Sequence, residues 1–132
     1  MPFARLTILA LLGGGEASEL NTKVARLVAD VLKKKHHLTS VLVEQVDGAH
    51  WTVGGQRQEA SAQLEVYITA GTNSEEEKRD FVRQAADLLK QSIPGINPAT
   101  YVIVHELPGT DWGYDGSTQA DRASAAKSRV TG

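Results

Sequence analysis

The sequence predicts an α/β fold of the α+β kind, a tandem β-α-β repeat that forms one four-stranded sheet with two helices on one face. Three observations predict it. The chain falls into register with itself when shifted by 61 residues. Each half carries one helical apolar stripe between two runs of strand character. Each crossover contains a helix, which makes the strands it joins parallel and the connection right-handed.

The internal register is the organising feature. Val41 meets Val102, Val43 meets Val104, Gly48 meets Gly109, Trp51 meets Trp112 and Gly55 meets Gly116. The helices agree as well: Leu20 with Phe81, Val24 with Ala85, Leu27 with Leu88 and Val28 with Leu89. These positions run i, i+4, i+7, i+8, which is one face of a helix. The strands for those faces to cover are Phe3–Ala10 and Val41–Val46, then Leu64–Ala70 and Tyr101–Leu107. Ser74-Glu75-Glu76-Glu77 is a capping box that opens the second helix, and Pro94-Gly95 stops it. Lys33-Lys34-Lys35-His36-His37 closes the first helix, with cations that complement its dipole. The sheet face without helices is expected to be largely apolar, which favours oligomerisation.

The boundaries follow. Repeat one spans 2–55, a polar linker 56–62 and repeat two 63–117, within a single domain of residues 1–132. Residues 118–132 are small and polar, and a loose tail or an arm laid over a neighbour is expected there.

Composition narrows the function classes. The net charge is −2 and aromatics make up 5%, which argues against a nucleic-acid surface or a base-stacking platform. Cysteine is absent, so disulfides, thiolate catalysis and cysteine metal ligands are excluded, in keeping with a cytoplasmic location. The apolar run Leu6–Leu12 is too short to span a membrane, and it leads through Gly13-Gly14-Gly15 into a polar helix rather than a cleavage site. No Lys-Ser/Thr follows that glycine run, so it is no phosphate loop. The four histidines show no metal spacing, and His105 and Glu106 face opposite ways on a strand. No metal and no cofactor are expected.

The residue of greatest chemical interest is Pro2. An internal proline nitrogen is an amide without useful basicity. Removal of Met1 would leave Pro2 with a secondary amine, and an α-amino group titrates near ~8. Burial or a nearby cation lowers that value toward neutrality, where a base can take a proton from carbon and return it elsewhere. The purely structural reading of Pro2 is that it stiffens the start of a strand.

Met1-Pro2-Phe3 opening a strand, Ala70-Gly71-Thr72-Asn73-Ser74 opening a helix, and two glycine-containing turns follow one another in a set order. The turns are His50-Trp51-Thr52-Val53-Gly54-Gly55 and Asp111-Trp112-Gly113-Tyr114-Asp115-Gly116. In this organisation the chain resembles the 4-oxalocrotonate tautomerase superfamily, over residues 2 to about 119. It looks like the fused, two-repeat kind, with a fold like that of macrophage migration inhibitory factor. The resemblance implies a homotrimer and a keto–enol isomerase of a small 2-oxo or enol acid, with Pro2 as acid/base. Only the first repeat supplies such a proline, since the counterpart of Pro2 is Gln63. In some relatives the proline stays protonated and acts as an acid in hydration, decarboxylation or dehalogenation. Those chemistries are the alternative enzyme reading, and a catalytically inactive trimeric binding protein is the alternative from another class.

Relatives surround the proline with arginines, and this chain departs from them. Thr72 follows the helix-opening Gly71, Leu42 and Ile103 occupy the strand positions, and Thr69 stands before Ala70. These departures argue against the usual dicarboxylate and dehalogenase substrates. The candidate substrate-binding residues are therefore Trp51 and Trp112 as an aromatic wall, Tyr114 and His105 as hydrogen-bond donors, Thr72, and Arg57 reaching in from the linker. Structural readings stand beside them: tryptophans as core or interface anchors, and His105 as a satisfied strand residue. Arg5, by strand alternation, points away from Pro2.

Overall fold

A computed structural model describes residues 2–47 and 50–131, with side chains described as far as Ser128. Met1, Gly48, Ala49 and Gly132 lie outside the described residues, and with them the expected removal of Met1 and the match of Gly48 to Gly109.

The first unit is β1 (Phe3–Leu9), α1 (Gly14–Val31) and β2 (Ser40–Gln45), with a short 3₁₀ turn at His36–Leu38 before β2. A small hairpin, β3 (Thr52–Val53) and β4 (Gln56–Arg57), leads to β5 (Ser61–Thr69), α2 (Glu75–Ser92) and β6 (Tyr101–Leu107). A second hairpin, β7 (Gly113–Tyr114) and β8 (Ser117–Thr118), runs into α3 (Gln119–Thr131). The main sheet has the order β2-β1-β5-β6, parallel within each unit and antiparallel where β1 meets β5. The architecture is that expected: α+β, four strands, with α1 and α2 against one face.

Alternation along the strands builds the core. Ala4, Leu6 and Ile8 of β1, with Ala62, Leu64, Val66 and Ile68 of β5, face the helices and are buried. Leu20, Val24 and Val28 of α1 cover them, as do Phe81, Ala85 and Leu89 of α2. Each large aliphatic among them contributes about 1.5–3 kcal/mol of burial. β5 starts at Ser61, three residues before the expected Leu64, because β1 holds it in register from Phe3↔Tyr67 to Leu9↔Ser61.

The 61-residue repeat is visible down to single hydrogen bonds. Gln58 N donates to Trp51 O and Gln119 N donates to Trp112 O, both at 2.9 Å. Gly54-Gly55 and Asp115-Gly116, at equivalent places, all have positive φ, the mirror-image turn that joins two short antiparallel strands.

Two expectations change. Residues 118–132, expected as a loose tail or an arm laid over a neighbour, are helical from Gln119 to Thr131 rather than loose. Thr118 Oγ1 accepts from Asp121 N at 3.0 Å, and Ala120 N donates to Gly109 O at 2.9 Å. A side chain at Gly109 would put its Cβ 3.3 Å from Ala120 N, so glycine lets the helix start seat closely. The sheet face away from the helices is mixed rather than largely apolar. Phe3, Tyr67 and Ile103 share it with Arg5, Glu65 and His105, because only the helix-side sets of the central strands β1 and β5 are uniformly apolar. No helix among the described residues is long and apolar enough to cross a membrane.

Candidate active site

Pro2 lines a cavity of about 380 Å³ at one end of the sheet. Pro2 is fully buried at its base, and its carbonyl accepts from Ser40 N at 3.1 Å, which ties the start of β1 to β2. Leu38 and Ile68 give the cavity an apolar side. Lys33, Lys34, Lys35 and Arg122 give it four cations, and no carboxylate is among the described residues that line it.

The lysines reach the cavity because of how α1 ends. Leu32 is the C-cap, Lys33 takes the left-handed conformation at φ +56, and Lys34 N donates to Ala29 O at 3.0 Å. This is a Schellman ending with lysine where glycine is usual, at a cost of about 1–2 kcal/mol. It turns the chain so that Lys34, half-buried, and Lys35, exposed, both line the cavity that holds Pro2. Asn73 Nδ2 holds the ending in place, donating to Leu32 O at 2.8 Å and to Glu77 Oε1 at 3.3 Å. The end of α1 is thereby tied to the start of α2.

Lys34 is the lysine drawn furthest inward. Its Nζ donates to Thr72 Oγ1 at 2.8 Å, and that hydroxyl donates to Thr69 O at 2.7 Å. Burial pulls the Lys34 ammonium below its ordinary value, while the charges of Glu77 and Glu106 pull it up. Across the cavity, the Arg122 guanidinium lies 3.7 Å from the centroid of the Tyr114 ring and donates to Tyr114 O at 2.9 Å.

No known family profile matches the sequence, and no curated protein does. Solved structures do match. A fused 4-OT that is an asymmetric trimer aligns with a TM-score of 0.81 at 15% identity, over 91% of this chain and 98% of its own. A macrophage migration inhibitory factor-like protein from Entamoeba histolytica aligns at 0.76 and 21% identity, over 89% of this chain and 97% of its own. The chain has the tautomerase fold. A malonate semialdehyde decarboxylase inhibited by 3-bromopropiolate shares it, at a TM-score of 0.73 and 16% identity, over 92% of this chain and 96% of its own.

The tautomerase fold brings together some of the candidate residues and separates others. Pro2, Thr72 and Tyr114 line the same cavity. Trp112 does not line it but stands one contact away, its Nε1 donating to Thr69 Oγ1 at 3.1 Å. Trp51 lies instead beside Gln63, the repeat-two counterpart of Pro2. His105 is on the opposite sheet face, stacked on Tyr67 at 4.4 Å with Nε2 3.1 Å from Glu65 Oε1, because it alternates with the inward Val102 and Val104. Arg57 is exposed on β4, outside the cavity.

Two groups that line the cavity are not among the candidate site residues of the sequence. The lysine run reads there as a dipole complement, and only the positive φ at Lys33 redirects it. Arg122 falls in a stretch whose composition suggests a tail. The hairpin repeat was the available signal, since it carries the chain past Gly116 and back toward Gly109.

Proposed function

We propose that the protein is a tautomerase-superfamily enzyme that interconverts the keto and enol forms of a small 2-oxo acid, with Pro2, freed of Met1, as the acid/base. The observation that carries this reading is the burial of Pro2 at the base of a cavity with an apolar side and four cations.

Both features lower the pKa of an amine from its ordinary ~8, since each disfavours the charged form. A neutral Pro2 nitrogen is then available as a base near neutral pH. In the keto-to-enol direction it takes a proton from C3 of the acid, the C2–C3 double bond forms as the carbonyl π pair moves onto the C2 oxygen, and Pro2 returns the proton to that oxygen and is neutral again. The cations stabilise the negative charge that develops on that oxygen, and Lys34 and Lys35 attract the substrate carboxylate. A strongly cationic surround favours the base over the protonated acid, and so favours isomerisation over hydration or decarboxylation on this scaffold. By analogy with the trimeric fused 4-OT, we place the chain in a homotrimer.

Mass spectrometry of the purified chain tests the premise, and a retained Met1 would remove the base altogether. Rates with phenylenolpyruvate test the chemistry. Pro2→Ala is expected to lower kcat/KM at least about 100-fold, within the range that general acid–base catalysis supplies. Wild type and variant both at the background rate would instead support the inactive binding protein.

A further inference from the structure

The two helices that cross the sheet end in different ways, and the internal repeat matches the two ends. The C-cap of α1 is Leu32 and that of α2 is Ile93, 61 residues on. After Ile93 comes Pro94-Gly95, where Gly95 takes the left-handed conformation at φ +76. Glycine adopts that conformation without steric cost, so this ending holds itself. After Leu32 it is Lys33 that is left-handed, a conformation its side chain resists.

Consecutive residues of the other repeat clamp the strained ending at two points. Asn73 Nδ2 donates to Leu32 O at 2.8 Å and to Glu77 Oε1 at 3.3 Å, which fixes the backbone of the turn against the start of α2. Thr72 Oγ1 accepts from Lys34 Nζ at 2.8 Å, which fixes the head of the side chain. The residue matching Asn73 in repeat one is Leu12, beside Gln91 and Ser92 near the end of α2, and its side chain has no donor to offer. The clamp thus goes with the strain, and both go with the Pro2 cavity. Lys33, Lys34 and Lys35 line it, whereas Asn73 is not among the described residues that do. Backbone strain of this kind persists only where the surroundings impose it, and it gathers at functional sites.

We propose that Asn73 is a positioning residue of the Pro2 site, holding the strained end of α1 so that the Lys34 ammonium stays at the cavity to meet the substrate carboxylate. The inference rests on the reading of the Pro2 cavity as the substrate site. Asn73 acts through Lys34 and touches no substrate. Without it, the Leu32 carbonyl loses its amide donor, Lys33 leaves the left-handed region, and Lys34 swings away from Thr72. That change weakens binding and spares the proton transfer, because bound substrate still meets the same base.

Calorimetric titration with phenylpyruvate reads binding, and turnover of phenylenolpyruvate reads the chemistry, both on the full chain. Asn73→Ala is expected to weaken phenylpyruvate at least about fivefold, with kcat within about twofold of wild type. Lys34→Met weakens binding as well. Adding Asn73→Ala to Lys34→Met is then expected to change affinity by less than about twofold, since an effect that runs through Lys34 has nothing left to act on. Unchanged binding in Asn73→Ala, a matching fall in kcat, or losses that multiply in the double variant overturns the proposal. Should Asn73→Ala fail to fold, Lys33→Gly supplies the background, because its ending needs no clamp. There Asn73→Ala is expected to fold and to bind phenylpyruvate within about twofold of Lys33→Gly alone, and a larger loss or a second failure to fold overturns the proposal. Weakened binding in Asn73→Ala without any Pro2-dependent turnover leaves Asn73 standing and sinks the tautomerase reading alone. Pro2-dependent turnover with unchanged binding sinks the role of Asn73 alone.

Discussion

A lysine partly withdrawn from water holds its charge less firmly than one on the surface. For Lys34 burial is the largest influence, and it takes the ammonium below its ordinary 10.5. The charged form is therefore less favoured folded than unfolded. Lys34 opposes stability while charged, and that opposition lifts as pH rises through its lowered value. Ligand binding has the other sign, because a carboxylate needs the ammonium. Affinity for phenylpyruvate is expected to fall between pH 7 and pH 10, by about tenfold if one charge-assisted hydrogen bond is lost. Lys34→Arg keeps its charge throughout that range, so its affinity should change by less than about threefold. Titrations of both proteins at the two pH values read this directly, and parallel profiles would remove Lys34 from the binding site.

The start of α2 is tied to its surroundings by side-chain hydrogen bonds that lie close to the cavity. Ser74 Oγ accepts from Glu77 N at 3.1 Å, and Glu77 Oε1 accepts from Ser74 N at 2.8 Å, completing the capping box. Lys78, one turn on, pairs with Glu106 of β6, whose other oxygen accepts from Gly71 N at 3.3 Å. Ser74→Ala is expected to cost about 1 kcal/mol in chemical denaturation, the usual price of a lost cap. The hydrogen bond from Lys78 lowers the Glu106 carboxyl below its ordinary 4.5, and the backbone bond at Ser74 lowers that of Glu77. Both carboxylates stabilise the fold above 4.5, and the contribution is lost as pH falls through their lowered values. Thermal unfolding from pH 5 to pH 2.5 should show Tm falling with acid, and falling less steeply in Glu106→Gln. An unchanged slope in that variant would place the acid sensitivity elsewhere.

For the whole molecule, the sheet face opposite the helices leaves large apolar side chains exposed. Tyr101 is 68% exposed and Leu42 41% exposed there, beside the Phe3–Tyr67 ring pair at 5.9 Å. His105 and Glu65 lie within this face, so an assembly that covers it must satisfy polar groups as well as bury apolar ones. In the proposed homotrimer this face is the subunit contact. Sedimentation equilibrium is expected to give three times the mass of the 14.2 kDa chain. Leu42→Asp with Ile103→Asp should shift the mass toward one chain, since each puts a charge where apolar area is buried. A monomer in the wild-type protein would contradict the trimer.

By itself, the sequence determined the periodic features: the 61-residue repeat, the helix stripes from Leu20 to Val28 and from Phe81 to Leu89, the capping box at Ser74, and the place of Pro2 at the start of a strand. Local periodicity and short-range hydrogen bonding specify such features, so each is written in neighbouring residues. Only the tertiary structure decided which side chains meet at Pro2. The run from Lys33 to Lys35 looks like a helix end until the positive φ of Lys33 turns it inward. Arg122 looks like part of a tail until Gly109 gives α3 a seat. His105, an eligible donor in the sequence, is carried away from the cavity by the alternation of β6. These outcomes rest on contacts between residues far apart in the chain, and composition carries no record of such contacts.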